Sequence, residues 1–361
     1  MFLTIIIAFA SLIILIIIHE LGHFITAKKF GVKVEEFGLG YPPRLFGKKI
    51  GETLYSINLL PFGGFVKIYG QEEPVDHPRS FSNRPIYQRA LIILGGVISF
   101  WIVSVILLTV VTALGQPTIV EDSEDHNLVN PKVQILAVDS NSPAERAGLE
   151  SGDIIKELKF SGQSFKTDKV KQIQEFVQKH KGREIILKIQ RGKRVFDVSL
   201  TPRLSPPQGE GPIGVSLVRT ALKSYPWYQA PVKGITATGE LTLTILKGWG
   251  MVISSLVRGR GMPPGAELGG PIKIINYSTR AWGLGLNYFL VFIAVISVAL
   301  AIVNILPIPA LDGGWFLFLL LEKLRGKPLN QKIIQNVSTF FFFLLITLLI
   351  LVTIKDIRDV F

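Results

Sequence analysis

The 361-residue chain carries a formal net charge of +12, is 48% hydrophobic and has a mean hydropathy of +0.41. That balance is too apolar for an ordinary soluble domain and places the chain in the membrane class. It has no cysteine, which excludes disulfides and cysteine metal sites. Its basic residues are scattered without aromatic interleaving, so no nucleic-acid partner is expected.

A spanning helix needs about 20 mostly apolar residues. Four stretches approach or meet that length: 2–18, 91–114, 286–306 and 338–354. The first has no basic n-region and no small-residue cleavage site, so it reads as a retained helix and not as a cleaved signal peptide. It runs into "HELGH". His19 and His23, four residues apart, lie on one face of a helix and can present two imidazoles to one point. This is the H-E-x-x-H pattern of zinc hydrolases, in which the two histidines hold Zn²⁺ and the glutamate, here Glu20, takes a proton from the attacking water. Ionisable groups at membrane depth are functional by default.

Lysine and arginine near the span ends set the orientation. Lys28, Lys29 and Lys33 follow the first helix, Arg79, Arg84 and Arg89 lead into the second, and Lys323, Arg325, Lys327 and Lys332 separate the last two. Both short loops are therefore expected in the cytoplasm, with the long insert and both termini outside and the HELGH segment at the cytoplasmic end. Residues 32–70 are rich in glycine and β-formers, and segments such as "TLYSINLL" and "GFVKIYG" read as short strands. Lying next to the membrane, their edges need partners or burial.

In the outer insert, "KVQILAV" alternates as a strand, and "NSPAERAGL" offers Ser142 as N-cap, Pro143 at the first helical position and Gly148 as a stop. "GDIIKEL" is a second strand. "TDKVKQIQEFVQKH" is an amphipathic helix with Val170, Ile173, Phe176 and Val177 on one face. "EIILKIQ" and "RVFDVSL", joined at Arg191-Gly192-Lys193, read as a closing hairpin. This order resembles a PDZ domain of the bacterial protease type, a fold that binds extended chains or C-termini by strand addition; a spacer with no ligand is the alternative. From 226 to 258, Leu241, Ile245, Trp249, Val252 and Leu256 form one helical stripe. It suits an interfacial helix or one packed on the PDZ-like domain.

A catalytic zinc needs a third protein ligand. Glu35 and Glu36 lie shortly downstream, in a β-like stretch. Asp312, in "NILPIPALDGGWFLFLLLEKL", is the better candidate: it stands alone among apolar residues, on the same side of the membrane as HELGH. Its alternative role is an N-cap for 313–324.

HELGH, "PFGGFVKI", "FSNRPIYQRALIILGG", the PDZ-like insert and "NILPIPALDGG" together resemble the site-2 protease family of intramembrane zinc metalloproteases, closest to the bacterial branch that cleaves anti-sigma factors. The resemblance covers most of the chain. It implies His19, His23 and Asp312 as zinc ligands and Glu20 as general base. It also implies substrate contacts at Asn304, Pro307 and Pro309 of the NxxPxPxLDG pattern, and at Gly63 and Gly64 of a strand edge that holds unwound substrate. Family members often carry Ala-Gly-Pro-x-x-Asn-Phe in the second span. Here "GGVISFW" places Phe100 at the Asn position, with Ser99 beside it.

The fold class expected is a polytopic α-helical membrane protein with four transmembrane helices, a membrane-associated β-rich loop and an inserted α+β PDZ-like domain. Residues 1–31 form the first helix with HExxH, 32–90 the cytoplasmic-side loop and 91–114 the second helix. Residues 115–205 form the outer PDZ-like domain and 206–285 a linker with the interfacial helix. Residues 286–325 hold the third helix and LDG motif, and 326–361 the fourth helix and C-terminus. The resemblance further implies a multi-pass protein of the bacterial inner membrane that cleaves single-span membrane proteins, anti-sigma factors or signal-peptide remnants among them. Two other classes stay open. A metal transporter would take up metal in a His19-dependent way, although no inverted repeat is visible, and a PDZ adaptor with a vestigial site would need no zinc.

Overall fold

Helix α1 (Phe2–Lys29) carries the HELGH segment without interruption and stops at Gly31, whose φ of +68° reverses the chain. The computed structural model describes residues 2–125, 128–192, 194–207, 209–263 and 269–360. Strands β1 (Val34–Ile50) and β2 (Thr53–Ile68) follow, then α2 (Ile86–Leu114), β3 (Gln116–Ile119) and β4 (Leu128–Val138). Next come α3 (Pro143–Arg146), β5 (Ile154–Phe160), β6 (Gln163–Lys166), α4 (Val170–Lys179), β7 (Ile185–Arg191), β8 (Arg194–Leu200) and β9 (Val215–Lys223). The chain ends with helices α5 (Ala230–Val257), α6 (Pro271–Leu284), α7 (Leu286–Ile305), α8 (Asp312–Arg325) and α9 (Gln331–Val360). Two units result. One holds Met1–Thr109, Pro231–Trp282 and Leu290–Phe361, and the other Val110–Ala230 and Gly283–Phe289.

In the first unit β1 and β2 pair twice. Residues 36–39 of β1 meet 64–67 of β2 and also 54–57, while 44–50 close a hairpin with 53–58. Among the described residues, 64–67 therefore have a strand partner on one side only. The hairpin tip is tied down by Glu52, which takes both Arg79 guanidinium nitrogens at 2.7 Å and also the Lys28 ammonium. Those bonds, Arg79 first and then Lys28, hold the Glu52 carboxyl below its ordinary 4.5, at about 2. A depressed folded-state pKa means that the tie is fully formed above about pH 4.5 and is lost as pH falls towards 2. Amide exchange at Gly51–Thr53, corrected for intrinsic rates, is expected to stay flat from pH 7 to 5 and to accelerate below 4. The Glu52→Gln variant is expected to show the acceleration already at pH 7.

A buried cluster of Ala27, Val32, Val34, Ile68, Ile92, Ile93 and Leu319 joins α1, both strands, α2 and α8. Among the described residues, five helices are long and apolar enough to cross a membrane: Ile5–Lys29, Ile86–Leu114, Ala230–Val257, Leu286–Ile305 and Gln331–Arg358. The expected count of four spans is therefore not confirmed. The added candidate is α5, the segment expected at the interface, whose mean hydropathy of 1.2 compares with 2.5 to 2.8 for the others. Its glycines and threonines diluted the apolar signal, yet they are what packs. Thr238 lies 3.4 Å from Ser104, Trp101 donates to Thr242 at 3.3 Å, and a Cβ on Gly234 would sit 2.8 Å from the Thr109 amide nitrogen. Three positions four apart thus face α2.

The second unit is a mixed α+β fold on one sheet, ordered β3-β9-β4-β5-β7-β8, with β6 on β5. Ser142 caps α3 by accepting from the Glu145 amide at 3.1 Å, with Pro143 at the first turn and Gly148 (φ +75°) at the stop. Ile173 and Val177 of α4 are buried against Val133, Ile135, Leu187 and Ile189. β7 and β8 pair antiparallel from Ile185↔Leu200 to Arg191↔Arg194; Lys193 of the expected turn lies outside the described residues. The sheet also takes β9 from the segment read as linker, pairing it with β4 and β3. Arg219 of β9 is 2% exposed. It is fully used: it donates to the backbone carbonyls of Asp168, Glu121 and Glu124 and to the Asp125 and Asp168 carboxylates.

Candidate metal centre

Three atoms converge in the first unit. The Nε2 atoms of His19 and His23 are 3.3 Å apart, and the Asp312 Oδ2 lies 3.3 Å from the first and 3.4 Å from the second. The two histidines are buried. His23 Nδ1 lies 3.0 Å from the Ile92 carbonyl of α2. A carbonyl only accepts, so that nitrogen holds the proton and Nε2 turns a lone pair inward. Asp312 Oδ2 has no hydrogen-bond donor among the described residues.

Such a cluster of lone pairs is repulsive by itself and needs a cation. Zinc fits it: at Zn–N and Zn–O distances of about 2.0–2.1 Å, tetrahedral ligand atoms stand about 3.3–3.4 Å apart. Among the described residues, His19, His23 and Asp312 are the group of three whose ligand atoms lie within 4.8 Å of one another. Glu35 and Glu36 are elsewhere, paired with Lys67 and Arg44.

Asp312 is available because it does not cap its helix. Leu311 occupies the N-cap of α8 and makes no capping bond, leaving Asp312 as the first helical residue. The two glycines after it let the helix start against the preceding bend: a Cβ on either would overlap backbone atoms of 305–309. Arg89 of α2 grips Glu322 of α8 through two parallel bonds of 2.7 and 3.0 Å. This bidentate pair, the strong form of charge-assisted bond, ties the Asp312 helix to the helix that orients His23.

Glu20 is one residue on from His19 and faces β2, where a Cβ at Gly64 would stand 3.2 Å from its Cγ. Gly63, at φ +102°, passes beside Tyr41; a Cβ there would be 2.7 Å from the ring. Asn304 donates to Leu300 within α7, Pro307 is exposed, and Pro309 is buried with its carbonyl accepting from Ser338 at 2.9 Å. None of these three belongs to the converging group.

Four features had no clear reading in the sequence. The Ile92 carbonyl is a backbone atom without a signature. Gly22, Gly95 and Gly96 let α1 and α2 approach so closely that a Cβ on Gly96 would overlap the His23 ring. Their signal was the glycine inside HELGH and the pair closing "LIILGG". Phe100 stacks on the His19 imidazole, centroids 4.6 Å apart and planes 17° from parallel. Ser99 instead spends its hydroxyl on the Gly96 carbonyl at 2.6 Å.

The chain is similar to known proteins over most of its length. The chain is 35% identical over 343 residues, 95% of each chain, to "Putative zinc metalloprotease CPE1693" of Clostridium perfringens. It is 27% identical over 420 residues to the "Regulator of sigma E protease" of Haemophilus influenzae, covering 90% of this chain and 91% of that one. A solved PDZ domain of the SdrC-like protein of Listeria monocytogenes aligns with 26% of this chain and 92% of its own, at 20% identity and a TM-score of 0.20. Peptidase family M50, the site-2 protease family, matches residues 7–348. That span takes in both histidines, Glu20 and Asp312, and the chain belongs to this family.

Proposed function

We propose that the chain is an intramembrane zinc metalloprotease that hydrolyses a peptide bond within or near the transmembrane segment of single-span membrane proteins. The observation that carries this reading is the convergence of two imidazole nitrogens, on a helix apolar enough to span a bilayer, with one carboxylate oxygen from α8 at tetrahedral spacing, beside a second carboxylate. His19, His23 and Asp312 would hold Zn²⁺. When bound, the ion acidifies a water and polarises a carbonyl. Glu20 takes the proton from the attacking water and gives it to the leaving amine nitrogen, which needs no other titratable group in reach.

Substrate enters as an unwound strand. Residues 64–67 have one strand partner and an open edge next to Glu20, and the small Gly63 and Gly64 allow a second backbone to come close. Asn304, Pro307 and Pro309 contact the substrate from the bend before α8. The site opens to the cytoplasmic side of a bacterial inner membrane. The PDZ-like unit lies outside, where it docks an extended segment or C-terminus, or limits substrate size. Anti-sigma factors or signal-peptide remnants are the substrates that the family resemblance implies, and one relative is named for the regulation of sigma E.

Glu20→Gln is the direct test. It is expected to keep about one zinc per chain while cleavage of a co-expressed single-span reporter falls by about 10²–10⁴-fold. A variant that holds zinc and still cleaves at the parental rate refutes the assigned base. A protein that binds no zinc at all refutes the metal centre.

A further inference from the structure

At the end of α5 the chain builds a basic hollow that the metal centre does not use. It measures about 580 Å³ and is lined by Lys247, Gly250, Met251, Ser254, Arg258 and Arg260. The first five recur at helical spacings of three and four, so they share one face. Arg260 joins them because the chain doubles back. Gly259, at φ +68°, lets its amide reach the Leu256 carbonyl at 3.0 Å. The Arg260 amide then bonds Ser255 O at 3.0 Å, and the Ser255 hydroxyl donates to Gly261 O at 2.8 Å. Gly250 forms the floor, and a Cβ placed there would meet nothing within 4 Å.

Lys247, Arg258 and Arg260 make no ion pair among the described residues, and α5 supplies no counter-charge at this end. Its acidic residue, Glu240, is seven positions before Lys247, about 10 Å along the axis. Three cations around an open hollow with a serine hydroxyl suit a phosphate. The surroundings decide which kind. Beside the hollow, Leu246, Ile253, Leu256 and Val257 are exposed, Val257 at 83%. A free phosphate gains nothing from that apolar flank, whereas a lipid lays its acyl chains on it.

We infer that this hollow is a headgroup site for an anionic phospholipid of the phosphatidylglycerol type. Its phosphodiester sits among Lys247, Arg258 and Arg260, and its chains run along the Leu246–Ile253–Val257 flank. The lipid anchors the C-terminal end of α5, beyond the positions Gly234, Thr238 and Thr242 that pack on α2.

The test uses the full chain in neutral detergent, titrated with phosphatidylglycerol or phosphatidylcholine of the same acyl chains, with bound lipid counted by native mass spectrometry. One phosphatidylglycerol is expected to be retained in preference to phosphatidylcholine. Each charge removed is expected to weaken it roughly fivefold, so Arg258→Gln with Arg260→Gln should cost about 25-fold. Lys171→Gln, an exposed cation on α4, should change nothing. Unaltered thermal unfolding of the double variant separates lost binding from lost folding. Equal retention of the two lipids, or retention unchanged in the double variant, overturns the site. Displacement by millimolar inorganic phosphate overturns the lipid assignment.

Discussion

Gly96→Ala is expected to strip the protein of its metal while leaving His19, Glu20, His23 and Asp312 all in place. A Cβ at this position would lie 2.6 Å from Cε1 and 2.7 Å from Cδ2 of His23, and nearer still to Nε2. Carbon atoms do not tolerate such contacts, so the ring or the helix must move. The helix has little room, because α1 and α2 already meet at glycine: a Cβ on Gly22 would be 2.8 Å from the Gly95 carbonyl carbon. The ring must therefore turn, which breaks its bond to the Ile92 carbonyl and carries Nε2 away from Asp312. Overpacking alone costs about 1–3 kcal/mol. Disturbing an outer partner of a metal-bound histidine costs 10–100-fold in affinity, and here the ligand itself moves, so a loss of at least about 100-fold is expected. Zinc per chain and competition with a chromophoric chelator measure it. Gly239→Ala is the control, since a Cβ there meets nothing within 4 Å. If the Gly96→Ala protein binds zinc as tightly as the Gly239→Ala protein, the close approach of α2 has no role in the site.

The difference between what the sequence announced and what it concealed follows from how local each feature is. HELGH announces itself because two histidines four residues apart need only a helix to share a face. The Ser142 cap and the buried face of α4 are legible for the same reason. Asp312 lies nearly three hundred residues away, and what tied it to HELGH was an isolated carboxylate in apolar surroundings and a common side of the membrane. Crossing geometry has no such trace. Nothing in "LIILGG" says that the Ile92 carbonyl will face His23, or that Gly96 will lie under its ring. β9 was hidden behind the proline- and glycine-rich stretch 202–214, and by Arg219, a buried cation in the middle of its pattern. Only the completed ring of acceptors from 121–125 and 168 makes burial there affordable. α5 was missed as a candidate span because its packing face is made of small and polar residues, which lower hydropathy and at the same time permit close contact with α2.

Removal of Phe100 is the second large effect expected. The two histidines are held in different ways. His23 has the Ile92 carbonyl bonded behind it, whereas the buried His19 Nδ1 makes no hydrogen bond of good geometry among the described residues, the Gly96 backbone being the ring's backbone neighbour. What holds the His19 ring is the face of Phe100, itself 2% exposed and nearly parallel at 4.6 Å. Phe100 is fixed in turn by its place on α2, where its carbonyl accepts from the Ser297 hydroxyl of α7 at 2.7 Å. Phe100→Ala opens a cavity worth about 3–5 kcal/mol of stability and frees the imidazole to rotate, so zinc affinity should drop by about 10–100-fold. Phe100→Leu separates the two contributions. It refills most of the volume, so stability should largely return, but it offers no ring to stack on and affinity should remain at least several-fold below that of the parent. Denaturant unfolding and zinc competition are measured on the same samples. Should both variants bind zinc like the parent, and differ only in stability, Phe100 fills space and does not orient His19. Should Phe100→Leu restore stability and not affinity, an aromatic face does for His19 what a carbonyl does for His23.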